Sequence, residues 1–125
     1  MEDRLIYREE AYRIIGLCME VHGTLSKGHS EVVYKDALEY EFSINQIPFS
    51  REKSYKIRYK DIILPRGYNA DFVVYDKIIL ESKAIECLTS GHVKQTLNYL
   101  AASKLKLGLL VNFGEESMSH KRVVL

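Results

Sequence analysis

Between Arg8 and Leu25 the apolar positions Ile14, Ile15, Cys18 and Val21 recur at helical spacing, with Leu17 and Met19 beside them and Glu9, Glu10 and Arg13 left for water. This predicts a first helix ending near Gly23. Ser26-Lys27-Gly28-His29-Ser30 is turn chemistry, and Ser30 stands as N-cap of a second helix running to about Asn45, with Val33, Ala37, Leu38 and Phe42 as its inner stripe. Pro48 stops that helix. Ser54 to Tyr59 then alternates Tyr55, Ile57 and Tyr59 with Lys56 and Arg58, the period of a half-exposed strand. Asp61 turns the chain, and Ile62-Ile63-Leu64 is a short apolar run ended by Pro65.

Two strands rich in Val and Ile follow, Tyr68 to Tyr75 and Ile78 to Ala84, and they read as a hairpin. From Thr89 to about Lys104 the pattern Val93, Leu97, Leu100 and Ala101 is helical again. Leu107 to Phe113 is an uninterrupted apolar run typical of a buried strand, and Lys121 to Leu125 a last short one. The order α, α, β, β, β, α, β, β, with no repeat and no linker, predicts one α/β or α+β domain over residues 1–125 with a single mixed sheet.

Composition adds limits. Hydrophobic residues make up 46% and charged residues 28% of the 125, which is the balance of a globular chain able to bury a core. Eighteen Lys and Arg against seventeen Asp and Glu leave a net charge of +1, which excludes a polybasic sleeve or an acidic tail. Residues 1–50 nevertheless carry −4 and residues 51–125 carry +5, with the basic excess densest at Arg51, Lys53, Lys56, Arg58 and Lys60. A phosphate backbone could be guided along that strand, so Lys53, Lys56, Arg58 and Lys60 are candidate substrate contacts. Cys18 and Cys87 lie far apart with no CxxC, so neither zinc nor a disulfide is signalled and both read as small buried hydrophobes. No stretch near Met1 resembles a signal peptide and none is apolar enough to span a bilayer, so a cytoplasmic protein with no membrane partner is expected.

Two acids interrupt the apolar hairpin strands: Asp71 between Ala70 and Phe72, and Glu81 between Leu80 and Ser82, with Lys83 two residues on. An unpaired buried carboxylate costs several kcal/mol, so acids in such strands are paired or bind a metal. Side-chain alternation puts Glu81 and Lys83 on one face of their strand. A two-residue turn at Asp76-Lys77 would set Asp71 opposite Ser82 and send Glu81 and Lys83 to the other face. A three-residue loop, Tyr75-Asp76-Lys77, sets Asp71 opposite Glu81, with Asp76 able to take the left-handed position such loops need. In that register the two carboxylates lie about 5 Å apart and can share Mg²⁺ or Mn²⁺, with a backbone carbonyl and water completing oxygen ligation. Lys83 can then hold the attacking water or offset phosphoryl charge. The competing reading is a structural ion pair between Lys83 and Asp71 or Glu81.

Asp71 followed by Glu81-Ser82-Lys83 resembles the core of the PD-(D/E)XK nuclease superfamily, and Gly28-His29-Ser30-Glu31-Val32-Val33-Tyr34 matches the GxxExxY motif that names a small family within it. Ile47-Pro48-Phe49, Asn69-Ala70-Asp71, Leu97-Asn98-Tyr99-Leu100, Gly108 to Gly114 and Lys121 to Leu125 extend the likeness over nearly the whole chain, although Ala70 stands where the superfamily's name has proline. The resemblance implies a restriction-endonuclease-like αβββαβ core whose mixed central sheet is flanked by helices. It also implies a metal held by Asp71 and Glu81, with the Ser82 carbonyl as a further ligand, and Lys83 as catalytic lysine. Glu31 would complete the acidic cluster, directly or through water. Gln95 and Tyr99 match a QxxxY motif of RecB-like members, and at i and i+4 they share one helical face; Gln95 would orient water, Lys83 or substrate.

Each residue also has a plainer role open to it. Glu31 suits the first turn of any helix, Tyr34 suits packing at a helix–sheet junction and is taken as supporting, Gly28 suits a positive-φ position, and His29 and His92 suit solvent. The expected activity is hydrolysis of nucleic acid, DNA rather than RNA, by a divalent-cation-dependent endonuclease. So short a chain has little room for a separate recognition domain, so any specificity is expected from loops, a homodimer or a partner protein. The alternative is a non-catalytic module that keeps the fold and binds nucleic acid or protein.

Overall fold

The computed structural model describes residues 6–125. Helix α1 (Arg8–Leu25) and helix α2 (Glu31–Ile44) precede strands β1 (Phe49–Tyr59), β2 (Ile62–Val74) and β3 (Ile78–Lys83). Helix α3 (Ser90–Ser103) and strands β4 (Leu107–Asn112) and β5 (Ser119–Val124) complete the chain. The five strands form one mixed sheet in the order β1-β2-β3-β4-β5, antiparallel throughout except for the parallel pair β3 and β4 that α3 connects. The run α2-β1-β2-β3-α3-β4 is the αβββαβ core, so the fold is α+β as the order of patterns required.

Two apolar layers hold the sheet. Ile14, Cys18 and Val21 of α1 and Tyr34, Leu38 and Phe42 of α2 pack on Phe72, Val74, Leu80, Leu109 and Val111. On the opposite face Tyr99 and Leu100 of α3 pack on Ala70, Val73, Ile79, Leu110 and Val123. The helix stripes differ in detail from the periodic assignment. The buried face of α2 is Tyr34, Lys35, Leu38 and Phe42, so a lysine and a tyrosine take the place expected for Val33 and Ala37. Met19 and Ala101 are exposed. Cys18 is fully buried, and burial pushes its thiol up to about 12. Cys87, expected inside, lies exposed in the segment between β3 and α3, because its neighbours Glu86 and Thr89 are solvent-facing too.

The strands run longer than alternation suggested. β1 begins at Phe49, and β2 continues from Ile62 through Pro65 to Val74. Proline is accommodated because the β1–β2 register shifts between Lys56↔Gly67 and Arg58↔Ile63, which leaves Leu64, Pro65 and Arg66 in a bulge where no ladder N–H is needed. Gly67 is required there, since a Cβ would stand 2.4 Å from the Tyr55 carbonyl oxygen. The β2–β3 loop is the three-residue one: Val74 pairs with Ile78, and both Tyr75 (φ 60) and Asp76 (φ 58) take the left-handed conformation expected of Asp76 alone. The Tyr75 amide donates to the Pro48 carbonyl at 2.8 Å, which ties this loop to the residue just before β1. Among the described residues no helix is long and apolar enough to cross a membrane.

Candidate active site

The β2–β3 ladder ends at Phe72↔Leu80, and one step beyond it Asp71 and Glu81 face each other. Here carboxylates replace the ladder. The Asp71 amide donates to Glu81 Oε2 at 2.8 Å, and the Ser82 amide donates to Asp71 Oδ2 at 2.9 Å. Tyr68 and Ala70 pack toward α3, whereas Phe72 and Val74 pack toward α1 and α2, so the face alternation of β2 slips by one position at Asp71. β1 is distorted at the same level, though its register with β2 is kept. Glu52, flanked by the pairs Arg51↔Phe72 and Lys53↔Ala70, has φ 58, a left-handed conformation that costs a non-glycine residue about 1 kcal/mol. Glu52, Asp71 and Glu81 thus form one row across three strands.

Lys35 lies over this row. It is 9% exposed, and its ammonium donates to Asp71 Oδ1 at 3.0 Å and to Glu52 Oε2. Asn69 Nδ2 holds the other oxygen of Glu52 at 2.8 Å. Burial pulls the Lys35 ammonium down, but its hydrogen bonds to Glu52 and Asp71 outweigh that and leave it above the ordinary lysine range. Neither Lys35 nor Glu52 was singled out by sequence. The available signal was spacing: Glu31 and Lys35 stand at i and i+4, so a helix face that turns Glu31 to the site turns Lys35 there too.

The row is over-supplied with negative charge. Burial first, then the charge of Asp71, pushes the Glu81 carboxyl up to about 8, against the Asp71 amide and the ammonium groups of Lys83 and Lys35. Glu31, half-buried at the start of α2, is raised by burial and then by Asp71, while Lys83 and Lys35 oppose the rise. Tyr99 is pushed up to about 12, by burial and then by the charges of Glu81, Asp71 and Glu31. Tyr99 packs on Tyr68 and Ala70 of β2, next to Asp71 in the chain. Gln95, one turn earlier on α3, is exposed and makes no side-chain hydrogen bond among the described residues. Lys83 is half-buried, and its carbonyl accepts from the Phe113 amide at 2.8 Å.

The remaining candidates are placed as follows. Tyr34 is fully buried; its hydroxyl donates to the Ser26 carbonyl at 2.6 Å and accepts from the His29 amide at 3.2 Å, and its ring stacks on Phe113 at 4.7 Å. It closes the loop around Gly28, whose φ of 114 suits glycine. His92, expected in solvent, accepts the Thr89 amide at 3.0 Å through Nδ1 and so caps α3. Lys53, Lys56, Arg58 and Lys60 are all exposed along β1 and its tip. Asn112, absent from the sequence reading as a site residue, is fully buried below Lys83 and clamps Ile85 in both directions, accepting its amide at 3.0 Å and donating to its carbonyl at 2.9 Å.

The donors suit a hard divalent cation. They are all oxygen, Glu81 Oε1 accepts no hydrogen bond among the described residues, and Ser82 Oγ is buried without a partner. Among the described residues no three Asp, Glu, His or Cys side chains converge to hold an ion by themselves, so water and backbone oxygen would have to complete the shell.

The fold and the match to known proteins agree. The chain resembles the crystal structure of SSO0001, with a TM-score of 0.60 at 17% identity, over 74% of this chain and 48% of that one. It thus spans about half the length of that protein. It also resembles the crystal structure of an alkaline exonuclease, LHK-Exo, from Laribacter hongkongensis, with a TM-score of 0.46 at 12% identity, over 86% of this chain and 75% of that one. No curated protein sequence matches the chain. The family model for the PD-(D/E)XK nuclease superfamily matches residues 8–123, from the first turn of α1 to the last strand and across the whole Glu52, Asp71 and Glu81 row, and the chain belongs to that superfamily.

Proposed function

We propose that this chain is a divalent-cation-dependent nuclease that hydrolyses phosphodiester bonds, of DNA rather than RNA, within one domain of the GxxExxY type. The observation that carries this is the pair Asp71 and Glu81, held by backbone amides where β2 and β3 part, with Glu81 pushed up to about 8. Such a pair is short of positive charge, and Mg²⁺ or Mn²⁺ would supply it. Asp71 and Glu81 would hold the ion, with the Ser82 carbonyl and, through water, Glu31. Bound there, a divalent ion makes a water more acidic and offsets charge on phosphoryl oxygens. Lys83 holds the attacking water or the phosphoryl oxygen on which charge develops. Gln95 orients water or substrate from α3, and Tyr99 walls the site. Lys53, Lys56, Arg58 and Lys60 take the phosphates of the flanking strand. The GxxExxY assignment is supported by linked roles: Gly28 permits the loop, Tyr34 ties it down, and Glu31 enters α2 toward Asp71.

A second reading is the non-catalytic binding module. It is favoured by the Lys35 ammonium, which already neutralises Asp71 without a metal. Incubation of supercoiled plasmid, single-stranded DNA and RNA with Mg²⁺ or Mn²⁺ separates the two. Cleavage by the wild type, lost in Asp71→Ala and Lys83→Ala, is expected. If no substrate is cut and calorimetry detects no cation at the site, the binding module stands instead.

A further inference from the structure

β2 pairs with β3 only from Phe72 to Val74, yet it pairs with β1 out to Tyr59↔Ile62. Beyond Ala70 the two strands leave the sheet as a ribbon. α3 covers the root of that ribbon, where Tyr68 meets Tyr99 edge-on at 5.5 Å and Tyr55 joins the same cluster. Past that point Ile57 and Leu64 are still half-buried, but the apolar side chains at the turn itself are open to solvent. Tyr59, Ile62 and Ile63 are 55%, 56% and 47% exposed; Tyr59 pairs with Ile62 on one face of the tip, and Ile63, the next residue along and opposite Arg58, stands on the other. Scattered exposed apolar residues are ordinary, but apolar side chains on both faces of one protruding turn make its end a contact surface.

The charge around them is one-sided. Lys56, Arg58, Lys60 and Arg66 make no ion pair among the described residues, whereas Arg51 at the start of β1 is held by Asp36 and Glu39. Asp61 is the lone acid of the tip, and Lys60 lies 5.4 Å over the Tyr59 ring. The root of the ribbon is Glu52 and Asp71, in the candidate active site. From there to Lys60 an extended strand reaches about 25 Å. That is about seven base steps of a duplex at roughly 3.4 Å each.

We propose that the ribbon tip is a wedge for double-stranded nucleic acid: Ile62, Ile63 and Tyr59 press between base steps while Lys56, Arg58 and Lys60 grip the phosphates on either side. Apolar side chains inserted in this way unstack and bend a duplex, and flanking cations fix the register. An anionic membrane would also suit cations around an apolar tip. The duplex is favoured because the ribbon springs from the carboxylate row. The proposal rests on the nuclease reading only for the class of ligand.

The test uses wild-type protein in EDTA, so that binding is read without cleavage. Anisotropy of a labelled duplex reports affinity, and 2-aminopurine within it reports unstacking. The double variant Ile62→Ser/Ile63→Ser is expected to bind about tenfold more weakly and to lose the 2-aminopurine rise, with the salt dependence unchanged. Lys56→Ala/Arg58→Ala is expected to lower the salt slope by about 2. The wedge is overturned if the isoleucine variant binds and unstacks like wild type. It is also overturned if the tip binds phosphatidylserine vesicles and no duplex. Cleavage with Mg²⁺ that is unaffected by the isoleucine change would sink the wedge and leave the nuclease; duplex unstacking without cleavage in any cation would do the reverse.

Discussion

The Lys35 ammonium donates to Asp71 Oδ1 at 3.0 Å, with their side chains 11% and 12% exposed, so a helix lysine is the built-in counter-charge of the β2 acid. Removing one partner of a buried pair leaves the other uncompensated, at a cost of about 3 kcal/mol. Lys35→Met keeps the stem and removes the charge. It is expected to lower stability by that order in urea denaturation with EDTA, and to recover part of the loss in Mn²⁺. A variant as stable as wild type would mean that the ion pair contributes nothing.

The Glu81 carboxyl makes stability depend on pH in a defined direction. Its value rises from 4.5 to about 8 on folding, chiefly through burial and then through Asp71. The folded state therefore holds a proton that the unfolded chain releases, and stability from this group is complete below pH 4.5 and lost as pH rises toward 8. Thermal unfolding in EDTA should show Tm falling across that window, and Glu81→Gln should flatten the fall. An unchanged slope in the glutamine variant would contradict the assignment.

Cation binding at the same carboxylates should release a proton, because the ion competes with it for Glu81. Mn²⁺ titrations at pH 7 in buffers of different ionisation enthalpy should give different observed heats. Equal heats in all buffers would show that no proton leaves.

Gly114 holds the segment that follows Lys83. A Cβ there would stand 2.2 Å from the Ile85 carbonyl oxygen and 2.4 Å from its nitrogen, so Gly114→Ala must move backbone that Asn112 also clamps. The expected cost is about 2 kcal/mol by chemical denaturation. Amide exchange should locate the disturbance at Ile85 and not at the distant β1–β2 ribbon.

Tyr34 ties the Gly28 loop to the core through one hydroxyl. Tyr34→Phe frees the Ser26 carbonyl and the His29 amide, which the hydroxyl serves together. A loss of about 1 kcal/mol is expected, with faster exchange of the His29 amide. Exchange no faster than in wild type would show that the loop is held by other means.

The elements and the acidic pair were legible because both depend on local spacing. The periods of α1, β4 and α3 each predicted their elements to within a few residues, and Asp71, Glu81 and Lys83 stood out as charges in apolar runs. The requirement that both acids serve one site even selected the loop length. β2 was read as two pieces because Pro65 breaks a strand locally, and only the bulge opposite Ile57 shows why it is tolerated. Cys87 looked like core by residue type, but exposure depends on what else covers the segment.

By itself the sequence determined the order of helices and strands, the presence of two acids and a lysine on one hairpin, and a basic stretch before them. The tertiary structure decided what the acids meet. It brought Lys35 of α2 and Glu52 of β1 to Asp71 and ended the β2–β3 ladder at that level. It also left the far end of the basic ribbon without a third strand. These are matters of cross-strand register and of which charge compensates a buried one. Both are set by contacts between residues remote in the chain, where no local period records them.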